Sequence, residues 1–149
     1  MLRFTIAILL FSVLPAVASD APAWAVAVFP SGAEFSLEIA ATDRERQLGY
    51  MFREDVPANE GMLFLFGETE RHSIWMKNCR VALDIIWLDD NFRVVEVAVG
   101  AQPCPAEGPC PSLQPMHASR YVLEIAAGRT AEEKLVRGDL VIIHSEPPL

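Results

Sequence analysis

The chain has 149 residues, with 12 basic and 20 acidic side chains and a formal charge of −8. That length suits one domain with a modest core and is short for two. Such an acidic balance disfavours a general nucleic-acid surface or an anionic membrane surface.

Residues 1–18 read as a secretory signal. Arg3 supplies a short basic start, Phe4 to Leu14 is almost wholly apolar, and Pro15 breaks the run. Ala16-Val17-Ala18 offers the small-x-small pattern cut by signal peptidase, which places the cut after Ala18. The apolar run is about half the ~20 residues a spanning helix needs. The expectation is a periplasmic or secreted protein with no membrane span after cleavage. The rest divides into an N-terminal segment with the first strand (19–34) and a single β-rich domain (35–146).

Strand patterns dominate that domain. Ala23 to Phe29 alternates Trp24, Val26 and Val28 with alanines, and Pro30-Ser31-Gly32 turns the chain. Glu34 to Ala40 alternates strictly, with Phe35, Leu37 and Ile39 on one face. Thr42-x-x-Glu45 is a capping box for a short helix that Gly49 ends. After the loop Pro57 to Gly61, Met62 to Phe66 is an apolar strand closed by Gly67. Ser73 to Met76 and Leu83 to Leu88 follow; Asp89-Asp90-Asn91 is a hairpin turn and Arg93 to Val99 its return. Ile85 and Trp87 share one face of their strand and Asp84 and Ile86 the other, which predicts burial on both faces and a core Trp87.

Gly100 to Ser119 reads as a long constrained loop. Within it Cys104-Pro-Ala-Glu-Gly-Pro-Cys110 can close as a disulfide in an oxidising compartment, leaving Cys79 over. Tyr121 to Ala127 is a strand. Thr130-x-x-Glu133 is a second capping box, for a helix through about Val136. Arg137-Gly138-Asp139 then turns into a last strand, Leu140 to His144. Leu-Glu-Ile-Ala-Ala occurs at 37–41 and again at 123–127, either as pseudo-symmetry or as a recurring strand pattern. Roughly eight strands with two short helices predict a mostly β, compact antiparallel sandwich or barrel-like domain.

Several blocks resemble the family called domain of unknown function 192. They are Glu45-Arg46-x-x-Gly49-Tyr50-Met51-x-Arg53, Gly61-Met62-Leu63-Phe64-x-Phe66, Trp75-Met76-Lys77-Asn78 and Leu83-Asp84-Ile85-Ile86. Pro103-Cys104, Pro109-Cys110-Pro111, Val122-Leu123-Glu124-Ile125-x-x-Gly128 and Gly138-Asp139 extend the likeness over about 35–145. Tyr50 stands where that family usually has leucine, and Cys79 where it has threonine. The second departure counts against a catalytic Cys79. The resemblance implies a β-sandwich or barrel-like fold and brings no assigned activity.

The polar residues that stand out are Arg46, Arg53, Lys77, Asn78 and Asp84, with Trp75 beside them. If their elements converge, three cations and an amide line a cleft for a small anionic or polar ligand, or for a partner's acidic segment. The alternative for the same residues is an ion-pair network in which Arg46 or Lys77 meets Asp84 and Asn78 caps a turn. The expected function is an exported binding or accessory domain for such a ligand or an envelope protein, with no cofactor. A hydrolase or transferase would use Asp84 as its acid or base, though the common nucleophile and metal motifs do not occur. A copper site can be assembled from Cys79, Cys104, Cys110, Met116 and His117, but a Cys104–Cys110 bridge removes two of its thiolates. An interaction module would use the 100–119 loop or a sheet edge.

Overall fold

In the computed structural model, residues 24–146 and 148–149 are described, so the signal reading over 1–18 lies outside them. The strict alternation at 34–40 becomes β2 (Glu34–Ala40), paired antiparallel with β1 (Trp24–Val28). Phe35 and Leu37 are buried while Glu34 and Ser36 face water. β2 leads into α1 (Asp43–Leu48), which buries no residue. That helix depends on its ends. Thr42 accepts from Glu45 N–H, Glu45 accepts from Thr42 N–H, and the cap contributes about 1 kcal/mol.

β3 runs Glu60–Glu70, longer than its apolar segment predicts, and lies parallel to β2. Among the described residues it is the one parallel pair in a sheet whose other pairs are antiparallel. The parallel step needs a crossover, and α1 with its following loop supplies it. β4 (Ile74–Trp75), β5 (Leu83–Leu88) and β6 (Val94–Ala101) follow. A two-residue β7 (Ser112–Leu113) inside the long loop pairs with β4, an element that the proline-rich sequence conceals. β8 (Ser119–Ala126), α2 (Arg129–Glu132) and β9 (Ile142–Ser145) complete the chain.

The main sheet has the order β6-β5-β8-β3-β2-β1-β9. Its two ends meet where Arg93 bridges Leu140 and Val94 N–H donates to Asp139 O at 2.9 Å. The fold is therefore a mostly β, barrel-like single domain with a small second sheet. One core cluster, with Phe35, Leu37, Leu63, Ile86, Leu123 and Ile125, fills the inside of the curved sheet. A second, with Tyr50, Met62, Phe64, Ile85, Trp87 and Val122, lies on the other face under β4 and the loop after α1. All six residues of β5 are buried because both faces are covered. Trp87 is core, and its indole N–H donates to His72 O at 2.8 Å.

The second capping box does not form. α2 is capped by Gly128 at φ 90°, with no side-chain hydrogen bond. Thr130 lies inside the helix, and its hydroxyl donates instead to Asp84 Oδ2 at 2.7 Å. Tertiary demand for a partner to a buried carboxylate outcompetes the local cap.

β3 passes so close to its neighbours at Gly61 that a Cβ would sit 2.6 Å from Glu124 O and 2.9 Å from Leu37 Cδ2. Gly61→Ala is expected to cost about 1–3 kcal/mol through this overpacking. A shift in urea midpoint checks it, and an unchanged midpoint would show that β3 can move aside.

Candidate functional site

The sequence-derived polar residues do not converge as one cleft. Asp84 points to the same face of β5 as Ile86 and is fully buried. It accepts from Gly100 N–H at 2.8 Å, Thr130 N–H at 2.8 Å and the Thr130 hydroxyl. It thus ties β5, the end of β6 and α2 together, and neither Arg46 nor Lys77 meets it. Arg53 pairs with Glu38 at 2.7 Å and lies 4.9 Å over the Tyr50 ring. Lys77 Nζ stands 4.9 Å over the exposed Trp75 ring. Asn78 adopts φ 56°, accepts from Phe52 N–H at 2.8 Å and donates to Met51 Sδ at 3.7 Å. This clip joins the loop after α1 to the turn after β4.

Between those two loops lies a pocket of about 290 Å³. Arg46 and Tyr50 line one side, Phe64 and Phe66 of β3 another, and Trp75 and Cys79 a third. Glu124 of β8 also lines it. Gly49, at φ 44°, ends α1 and lets the chain drop onto Phe64. Arg46 is held in place, since its Nη1 donates to Ala41 O and to Leu65 O and its Nη2 to Asp43. Its guanidinium also lies 5.4 Å from the Phe66 ring centre, so few of its donors remain for a ligand.

Glu124 is the residue that the reading of sequence patterns missed. It is 4% exposed. Its cross-strand neighbours are Met62 on β3 and Ile85 on β5, both apolar and buried. Among the described residues no side chain or backbone group hydrogen-bonds its carboxyl. Burial alone pushes its pKa up to about 8. The Cys79 thiol is pushed up to about 11, by burial first and then by Glu124, which leaves it neutral and unreactive at pH 7. Tyr50 is raised by burial, against Arg53, with Glu124 and Glu38 adding to the rise. The signal was present in the sequence. Val122-Leu123-Glu124-Ile125 puts a carboxyl on the same face as Val122, opposite Leu123 and Ile125, in a strand flanked by two apolar strands.

Cys104 and Cys110 form a disulfide with Cα atoms 5.2 Å apart. Cys79 is free and partly buried. His117 Nδ1 lies 3.3 Å from Glu96, and Met116 is exposed. Among the described residues no group of three His, Cys, Asp or Glu side chains is placed to hold a metal. A second hollow, about 1240 Å³ and open, lies between β1, β9 and Tyr121; none of its ionisable residues is buried.

These features define a barrel-like β domain with a small pocket on its outer face and an acid at the pocket's base. The chain belongs to the domain of unknown function 192 family, described as an uncharacterised ACR, whose sequence model matches residues 26–143. It is similar to the crystal structure of a Sinorhizobium meliloti protein provisionally described as a transcription regulator. That likeness has 26% identity and a TM-score of 0.72, and covers 85% of this chain and 97% of that one. It is also similar to a Novosphingobium aromaticivorans protein of unknown function, with 30% identity, a TM-score of 0.72, and coverage of 88% and 94%. No curated protein matches the chain detectably.

The two buried acids carry opposite expectations. Asp84→Asn sets an amide N–H against donors and is expected to cost about 2–4 kcal/mol. For Glu124 the folded pKa of about 8 lies above the ordinary 4.5. Its contribution is most favourable below 4.5 and is lost as pH rises to about 8, because the unfolded chain releases the proton first. Glu124→Gln removes that slope. Relative to the variant, the native protein is expected to lose about 1.4 kcal/mol per pH unit between those limits. Urea unfolding at pH 5, 6.5 and 8 checks both. A constant gap between native and Gln variant would mean that Glu124 is ionised and paired.

Proposed function

We propose that this protein is an exported binding domain that holds a small ligand in the pocket between α1, β3 and the turn after β4, with Glu124 as its polar anchor. One observation carries the reading: a carboxyl only 4% exposed, with no hydrogen-bond partner among the described residues, opens into a pocket. Burying such a group without a partner costs stability, and a ligand that satisfies it recovers that cost. Export is supported by the N-terminal pattern of a basic residue, an apolar run and Ala16-Val17-Ala18, and by the Cys104–Cys110 disulfide. The pocket's size suits a small metabolite, and Tyr50, Phe64, Phe66 and Trp75 give part of its wall an aromatic surface. The cation cleft expected around Arg46, Arg53, Lys77 and Asn78 has less support, because Arg46 and Arg53 are engaged within the chain. The regulator description of the Sinorhizobium protein is not carried over, since a formal charge of −8 does not favour DNA.

An enzymatic reading would use Glu124 rather than Asp84, since a carboxyl with a raised pKa in a pocket suits proton transfer. Binding is favoured because the neighbouring Cys79 thiol is held neutral.

Thermal unfolding of the purified protein over a panel of small amines, carboxylates, sugars and nucleobases tests the proposal. The expected result is a concentration-dependent rise in midpoint that Glu124→Leu abolishes and Lys77→Ala spares. A rise lost in Lys77→Ala and kept in Glu124→Leu would move the site to the cation cleft.

A further inference from the structure

The geometry points to a small ammonium-type cation, carried on an apolar or aromatic body, as the ligand of this pocket, with the Glu124 carboxylate as its counter-ion. This rests on the binding reading above and names the chemistry of the ligand. Three observations select it.

The first is the balance of charge at the pocket. The ionisable groups that share the pocket with Glu124 are the Tyr50 phenol and the Cys79 thiol, both neutral, and from α1 Asp43 and Arg46. Arg46 is paired with Asp43 and donates to two carbonyls, so this pair adds no net charge. Beyond Met62 on β3, Glu38 of β2 is paired with Arg53, and Glu60 adds a further acid. β5 contributes only Ile85 opposite Glu124. Once Glu124 ionises, no cation lining the pocket among the described residues is free to balance it, since Lys77 stands outside the lining over the Trp75 ring, and a ligand cation does.

The second is the state of Arg46. An anionic ligand needs donors, and the one cation lining the pocket among the described residues has committed three of its five N–H groups to Ala41 O, Leu65 O and Asp43. A neutral ligand would meet the acid with one hydrogen bond and leave the charge balance unused.

The third is the wall. Tyr50, Phe64, Phe66 and Trp75 present aromatic surface to the pocket. Such surface takes an apolar body.

Binding converts the protonated carboxyl to a carboxylate and sends its proton to solvent. No covalent bond forms. Three isosteric probes separate the possibilities: benzylamine, benzyl alcohol and benzoate, titrated calorimetrically at pH 7 in two buffers of different ionisation enthalpy. Benzylamine is expected to bind and to release roughly one proton. Its affinity is expected to fall ~10-fold or more in Glu124→Gln, with no proton release, while circular dichroism shows that variant folded. Tighter binding of benzoate or benzyl alcohol, lost in Glu124→Leu, would overturn the cation assignment and leave the pocket as the ligand site. Equal benzylamine binding by native protein and Glu124→Gln would also overturn it. No binding by any of the three would overturn the cation assignment and count against the pocket together.

Discussion

β8 runs between β3 and β5, and from Val122 to Ile125 it is buried on both faces. Three of those four residues are apolar and fill the two core clusters. The fourth is Glu124, whose neighbours across the sheet are Met62 and Ile85. A carboxyl in that place raises the free energy of the folded state unless something meets it. The surroundings follow from this constraint. α1 and its loop cover the outer face but stop short of closing it, and Gly49 lets the cover settle on Phe64. The clip between Phe52 and Asn78 holds the opposite loop in place. What stays open between them is the pocket.

The sheet uses its other buried acid differently. Asp84 lies on β5, next to β8, yet projects to the other face. There it receives three hydrogen bonds from Gly100 and Thr130 and joins the end of β6 to α2. The alternation of side chains along neighbouring strands thus separates a structural carboxylate from an unpartnered one by the thickness of the sheet. The cations divide in the same way. Arg46 and Arg53 hold local structure, and Lys77 rests on an exposed ring.

Much of the architecture was legible because it is written in local patterns. The alternation of Glu34 to Ala40, the Thr42–Glu45 box, the doubly apolar Leu83 to Leu88 and the Cys104–Cys110 ring each specify their own element. The parallel pairing of β2 with β3 was not legible, since pairing direction depends on where a crossover packs. Nor was the loss of the Thr130 cap, because its hydroxyl is claimed by Asp84, far away in sequence. The grouping of Arg46, Lys77 and Asp84 failed for a related reason. Nearness in sequence gave no strand order, and without that order the faces of β5 and β8 could not be assigned. Glu124 was within reach of the same reasoning. The repeated Leu-Glu-Ile-Ala-Ala sets Glu38 and Glu124 in register on either side of Met62, and only the first finds an arginine.

The most direct measurement is the ionisation of Glu124 itself, followed through the side-chain carboxyl carbon in protein labelled with ¹³C-glutamate and assigned with the Gln variant. A midpoint near 8 in the ligand-free protein is the expected result. A midpoint in the ordinary range near 4.5 would contradict it, and would mean that the carboxyl is either hydrated or already paired.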